Sequence, residues 1–204
     1  MNVKSLRARQ GEETRHLLTA VARDLFTERG YAGTSIEDIT QRAGVARGAL
    51  YHHFSGKEAV FREVYDAVQA DAVERVVTAA LAMPEPWAAV RAGLSAFLDA
   101  CLEPAFRRVV VLDSVSVLQH QVWDGGIEPV ELPMLRRVLT PLVATEALPG
   151  VAVEPLVHVA LGGLYGAALF IARSPDPNAA RAEADVVLDT LVGGLGSLVR
   201  PAAE

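Results

Sequence analysis

A chain of 204 residues, 51% hydrophobic and 22% charged, is too long and too apolar for a disordered polypeptide and can fill one or two cored domains. Cys101 stands alone, which rules out an internal disulfide, and Met1 to Glu13 mixes Lys4, Arg7, Arg9, Glu12 and Glu13 with no apolar export segment, so a cytoplasmic location is expected. The net charge of -6 does not exclude nucleic acid, because it divides along the chain: residues 1–57 carry nine Lys/Arg against six Asp/Glu, residues 58–204 ten against nineteen.

In chain order, Leu18, Val21, Ala22, Leu25 and Phe26 form one face of a first helix. Gly30 should end it in the left-handed conformation, with Tyr31 folded back on Phe26. Thr34-Ser35-Ile36-Glu37 reads as a capping box, Thr34 being the cap and Glu37 its reciprocal partner, and opens a short second helix with Ile36, Ile39 and Ala43 on its apolar edge. Gly44-Val45 supplies a tight turn and an apolar plug before a third helix, Arg47 to Phe54. Ser55-Gly56-Lys57-Glu58 reads as a second capping box, starting a long helix that runs to about Ala82 and is broken by Pro84 and Pro86.

Further helices are expected over Trp87 to Leu102, Ala105 to Trp123 with a break around Asp113, Leu132 to Leu148 kinked at Pro141, Val153 to Arg173, and Ala179 to Val199. Asp124-Gly125-Gly126 and Ser174 to Asn178 are loops by composition, and strand signals are almost absent. The fold class is therefore all-α: a tri-helical helix-turn-helix head over residues 1–57, then a larger helical body over 58–204. Pro155 to Ala172 carries no formal charge and approaches the length of a membrane span. His158, Gly162, Gly163 and Gly166, and the lack of a second apolar segment or flanking basic cluster, favour a buried helix and no membrane.

A third helix so placed enters the major groove with its first residues toward the base edges. Arg47 is the expected direct reader, since a guanidinium matches guanine O6 and N7 with two parallel bonds. Gly48 permits close backbone approach, while Tyr51, His52 and His53 offer donors to phosphate. Lys57 adds a positive charge beside the amides that open the fourth helix. His52 and His53 do not read as a metal site, because helical neighbours point about 100° apart.

Leu25-Phe26, Gly30-Tyr31, Thr34-Ser35-Ile36, Asp38-Ile39, Ala43-Gly44-Val45, Gly48, Leu50-Tyr51, His53-Phe54 and Lys57-Glu58 together resemble the N-terminal signature of TetR-family transcription regulators. The resemblance covers roughly residues 12–65. It implies backbone contacts from Thr34 or Ser35, Tyr51, His53 and Lys57. One departure lies at the interface: Ala46 stands where relatives usually carry Ser or Thr, so the third helix lacks a side-chain cap.

In the body, Gly162, Gly166, Thr190, Gly194 and Ser197 recur at helical spacing, which permits close helix approach. With the resemblance, this makes the last two helices, about 153–173 and 179–199, the expected homodimer interface. The resemblance also implies a cavity for a small-molecule effector, for which the candidate lining is Trp87, Phe97, Cys101, Phe106, His120, Trp123, Met134, His158 and Tyr165. For each of these singly, core packing is the alternative. No cofactor or metal is expected. The chain has no Gly-x-Ser-x-Gly, His-Glu-x-x-His or phosphate-loop motif, which argues against an enzyme; a redox switch at Cys101 and a DNA binder without an effector remain as rivals. Double-stranded DNA carrying a palindromic operator is the expected partner, with repression the expected outcome by family analogy.

Overall fold

The computed structural model describes residues 3–118, 131–144, 148 and 150–197, and every regular element among the described residues is a helix. In order these are α1 (Val3–Arg29), α2 (Ile36–Ala43), α3 (Arg47–His53), α4 (Lys57–Leu81), α5 (Pro86–Ala100), a π-helix (Phe106–Asp113), α6 (Ser114–Val117), α7 (Glu131–Ala144), α8 (Val153–Arg173) and α9 (Pro177–Ser197). The chain forms two compact units, Met1–Gln69 with Pro104–Leu118, and Ala70–Glu103 with Gln119–Glu204.

The first unit is built on the apolar face of α1. Leu18, Ala22, Leu25 and Phe26 are buried there with Ile39 of α2, Leu50 of α3, and Val60, Phe61, Val64 and Val68 of α4. Phe61 meets Phe26 edge-on at 5.2 Å between ring centroids and Tyr31 at 5.1 Å, so the aromatic centre joins α1, the turn after it and α4. Phe26 and Phe61, both fully buried, each stabilise the fold by about 1.5–3 kcal/mol. Arg15 of α1 adds a two-point bond to Glu63 of α4, at 3.0 and 2.7 Å. These α4 contacts carry the compact unit past residue 57, where the sequence reading closes the head, to Gln69.

Gly30 ends α1 as expected, at φ 71°. A second reason for glycine lies in tertiary structure: a Cβ there would run into the guanidinium of Arg108. That arginine belongs to the π-helix, whose wider turn buries Phe106, Val109, Val110 and Val111 on one side. Asp113, at its end, accepts the Tyr31 N–H at 2.7 Å and the Arg108 Nε–H at 3.2 Å. The helix expected over Ala105 to Trp123 is thus a π-helix that gives way to a short α6 at the expected break; residues 119–123 lie outside the described residues.

In the second unit, α7 packs on α8, α8 on α9, and α9 on α5. Pro86 does not simply break a helix: it is the first residue of α5, where a missing amide costs nothing, and Glu85 caps the next amides of Trp87 and Ala88 at 2.9 and 2.6 Å. Arg181 of α9 holds Asp99 at 3.0 Å and Ser95 at 2.8 Å on α5, and Arg136 of α7 holds Glu154 of α8 at 2.7 and 3.1 Å. Leu132, Leu135 and Val157 form a buried apolar cluster. By length and composition α8 could cross a membrane, and only 17% of its most apolar window is buried within the chain. The expectation that this segment is a buried helix therefore does not hold for the single chain.

Candidate nucleic-acid interface

The entry to α2 differs from the sequence reading by one residue. Ser35, not Thr34, is the cap: its Oγ accepts the Asp38 N–H at 3.1 Å, and Asp38 in return accepts the Ser35 N–H at 2.8 Å. The Asp38 carboxyl is held below its ordinary value by the Ser35 hydroxyl first and the Ser35 amide next. Thr34 is buried, and its hydroxyl donates to the Gly30 carbonyl at 2.9 Å, with the Leu25 carbonyl at 3.3 Å sharing the same proton, so its donor is used inside the head. Two overlapping capping boxes exist in Thr34-Ser35-Ile36-Glu37-Asp38, and spacing alone does not choose between them. The choice made here releases Glu37 from capping.

At the other end of α2, Gly44 takes φ 67° and its N–H reaches the Gln41 and Thr40 carbonyls, turning the chain into α3. Ala46 is the N-cap of α3 and makes no side-chain cap bond, as its methyl group dictates. The helix is pinned from beneath by Leu50 and by Phe54 at its C-terminal end, both buried. Its outer edge then presents Arg47, Gly48, Tyr51 and His52, all exposed, with His53 half-buried beside Gly11 of α1. No atom lies within 4 Å of where a Gly48 Cβ would stand, so its backbone is open to a large partner.

Arg47 is not a free side chain. One terminal nitrogen donates to Glu37 Oε1 and the other to the Tyr51 hydroxyl at 3.2 Å, with the guanidinium 5.5 Å from the Tyr51 ring centre. Tyr51 first and Glu37 next hold the guanidinium above its ordinary pKa. Sequence reading found Arg47 and Tyr51 but missed Glu37, which it had assigned to capping.

Lys57 is also bonded within the head. Its Nζ donates to the carbonyls of Tyr31 and Thr34 at 2.9 and 3.0 Å and lies 4.0 Å from the Tyr31 ring centre. The charge closes the α1–α2 turn from within the head. The first bond of α4 runs from the Val60 N–H to the Gly56 carbonyl at 3.2 Å, which makes Gly56, not Ser55, the cap.

The described members of the candidate effector lining divide between the two units. Cys101 is fully buried, and burial pushes its thiol up to about 12, a setting in which little thiolate exists at neutral pH. Phe97 and Trp87 are half-buried on α5, and Met134 is half-buried on α7. Phe106 is buried in the first unit, whereas the others described belong to the second. His158 and Tyr165 are exposed on α8, the His158 Nδ1 lying 2.9 Å from the Glu154 carbonyl. His120 and Trp123 lie outside the described residues.

Residues 18–64 match the family described as bacterial regulatory proteins, tetR family, and residues 87–195 match the tetracyclin repressor-like C-terminal domain. The HTH-type transcriptional regulator AcrR of Shigella flexneri is 30% identical over 103 residues, covering 50% of this chain and 48% of its own. The chain thus spans about half the length of the curated relatives it matches. The crystal structure of a TetR-family transcriptional regulator from Pectobacterium atrosepticum is 34% identical with a TM-score of 0.79, over 95% of this chain and 98% of that one. FadR of Bacillus subtilis, solved with stearoyl-CoA, is similar in fold at 19% identity and TM-score 0.69, over 88% of this chain and 98% of its own. A helix-turn-helix head with an exposed reading edge, matched together with the body behind it, shows that the chain belongs to the TetR family of bacterial regulatory proteins, a family of DNA-binding transcription regulators and not of enzymes.

Proposed function

We propose that this chain is a sequence-specific repressor that binds a palindromic operator as a homodimer and leaves it when a small, largely apolar molecule binds its helical body. The observation that carries the reading is the outer edge of α3, where Arg47, Gly48, Tyr51 and His52 stand exposed on a helix anchored by Leu50 and Phe54. Arg47 reads a guanine; Tyr51, His52 and His53 donate to phosphate; Gly48 and Ala46 let the backbone approach; Ser35, at the start of α2, adds a backbone contact. DNA reading belongs to residues 1–57, and dimerisation and sensing to residues 58–204, in the cytoplasm where the chromosome lies.

Two faces support the dimer. Val159, Tyr165 and Phe170 of α8 and Val186, Val187, Leu191 and Leu195 of α9 are exposed in the single chain, and a Cβ on Gly162, Gly163 or Gly166 would meet nothing. Exposed apolar area on this scale marks a covered surface. A second copy covers it and pairs two heads for half-sites about 34–36 Å apart. The effector acts only through a difference in affinity between two arrangements of the protein. Its apolar character is supported by the aliphatic and aromatic composition of α5, α7 and α8 and by the acyl ligand of the FadR neighbour.

Selection of sites from a random duplex pool, at two salt concentrations, tests the reading with wild type and Arg47→Ala. A palindromic consensus is expected, and Arg47→Ala should lose about 1–3 kcal/mol of discrimination at one position per half-site. An unchanged base profile would remove Arg47 as reader; no enrichment with either protein would remove the DNA-reading role.

A further inference from the structure

The two contacts of Arg47 are unusual for a residue that must leave solvent for a base edge. Glu37 stands in the first turn of α2, and Arg47 and Tyr51 lie one turn apart on α3, so the guanidinium is bridged between the two helices. Both Arg47 and Glu37 are largely exposed, with side-chain exposures of 59% and 61%. No core packing demands the pair, and a carboxylate beside a polyanion is an electrostatic cost unless it does something for recognition.

Resting on the reading of Arg47 as the base contact, we infer that Glu37 is a specificity-determining residue: it holds the Arg47 fork for a guanine edge and withholds it from the phosphates of unrelated DNA. A guanidinium has five N–H donors in a rigid plane. One on each terminal nitrogen is taken by Glu37 and Tyr51, which leaves one on each and one on Nε. Guanine O6 and N7 can take two of these in the same plane while the clamp stays closed. A phosphate lies at the groove wall, so reaching it requires the stem to swing and both contacts to break, and the Glu37 charge opposes the incoming anion. Glu37 therefore gives up affinity on random sequence and gains discrimination on the operator.

The test is a double-mutant cycle on the full chain: wild type, Glu37→Gln, Arg47→Ala and the double variant. Each is titrated with the selected operator, an operator changed at the base pair that Arg47→Ala affects, and a random duplex, across a salt series. Thermal melting checks that each variant is folded. Glu37→Gln is expected to tighten random-duplex binding severalfold and to steepen its salt slope by about 0.9, one added phosphate contact. It should also shrink the operator-to-changed-operator ratio from the roughly 5- to 150-fold that a bidentate contact confers. In the Arg47→Ala background Glu37→Gln should tighten all three duplexes by one common factor, the loss of a negative charge and nothing more. Glu37→Ala, which removes the acceptor as well, should act in the same direction and further. Equal effects of Glu37→Gln in both backgrounds, or an unchanged operator ratio, would overturn the clamp and leave Arg47 as reader. A base profile indifferent to Arg47→Ala would overturn both.

Discussion

At Lys57 two carbonyls hold the charge that a phosphate was expected to take. The ammonium donates to Tyr31 and Thr34 across 26 and 23 residues of chain, and the ring of Tyr31 lies against it. Hydrogen bonds from a charged group contribute about 1.5–3 kcal/mol, and removing the donor takes that bond from both carbonyls, of which Tyr31 keeps the Thr34 N–H at 3.3 Å. Lys57→Ala should therefore lower the urea midpoint of the head at unchanged slope. The salt dependence of DNA binding should change by much less than the roughly 0.9 of a lost phosphate contact. A full loss of that contact with an unchanged midpoint would return Lys57 to the DNA. Residue chemistry also counts against the redox rival, since Cys101 is fully buried and burial raises its thiol to about 12.

Among elements, the π-helix has the most consequence. Sequence reading placed a break at Asp113 but gave the break no purpose. In the structure Asp113 is the acceptor for the Tyr31 N–H, 82 positions away, and Arg108 fills the space that Gly30 leaves open. The turn after α1 is thus held from two sides, by Lys57 on the Tyr31 and Thr34 carbonyls and by Asp113 on the Tyr31 amide. Asp113→Ala should cost about 1–3 kcal/mol, the penalty of a part-buried unpaired donor, and should raise amide exchange at Tyr31 above that of its helical neighbours. Exchange at Tyr31 matching wild type would show that the bond is not maintained in solution. The third helix, α3, is short and uncapped at Ala46, so its order depends on Leu50 and Phe54.

For the whole molecule, the exposed apolar side chains of α8 and α9 are the imbalance to explain. Val159 is 73% exposed and Val186 68%, values that a water-facing helix does not need. Leu191→Asp with Val187→Asp should shift the sedimenting species from dimer to monomer, because two buried charges per copy would face each other across a two-fold axis. Operator affinity should fall with dimer content, while the far-ultraviolet helical signal is retained. A dimer that survives both changes would place the interface elsewhere.

Helix positions, the stops at Gly30 and Gly44, the uncapped start of α3 and the membership of Arg47 and Tyr51 in one exposed edge were legible from sequence. Each depends on residues within about one turn of one another: apolar spacing, a glycine free to take positive φ, a methyl group where a hydroxyl would cap. The family resemblance added the head and body in their order. What tertiary structure decided was partnership. Which carbonyls Lys57 bonds, what receives the Tyr31 amide and which carboxylate restrains Arg47 all depend on groups brought together from 10 to 82 residues apart. A charged side chain some 6 Å long can serve several neighbours equally well in sequence, and only packing settles which of them lies within hydrogen-bonding reach.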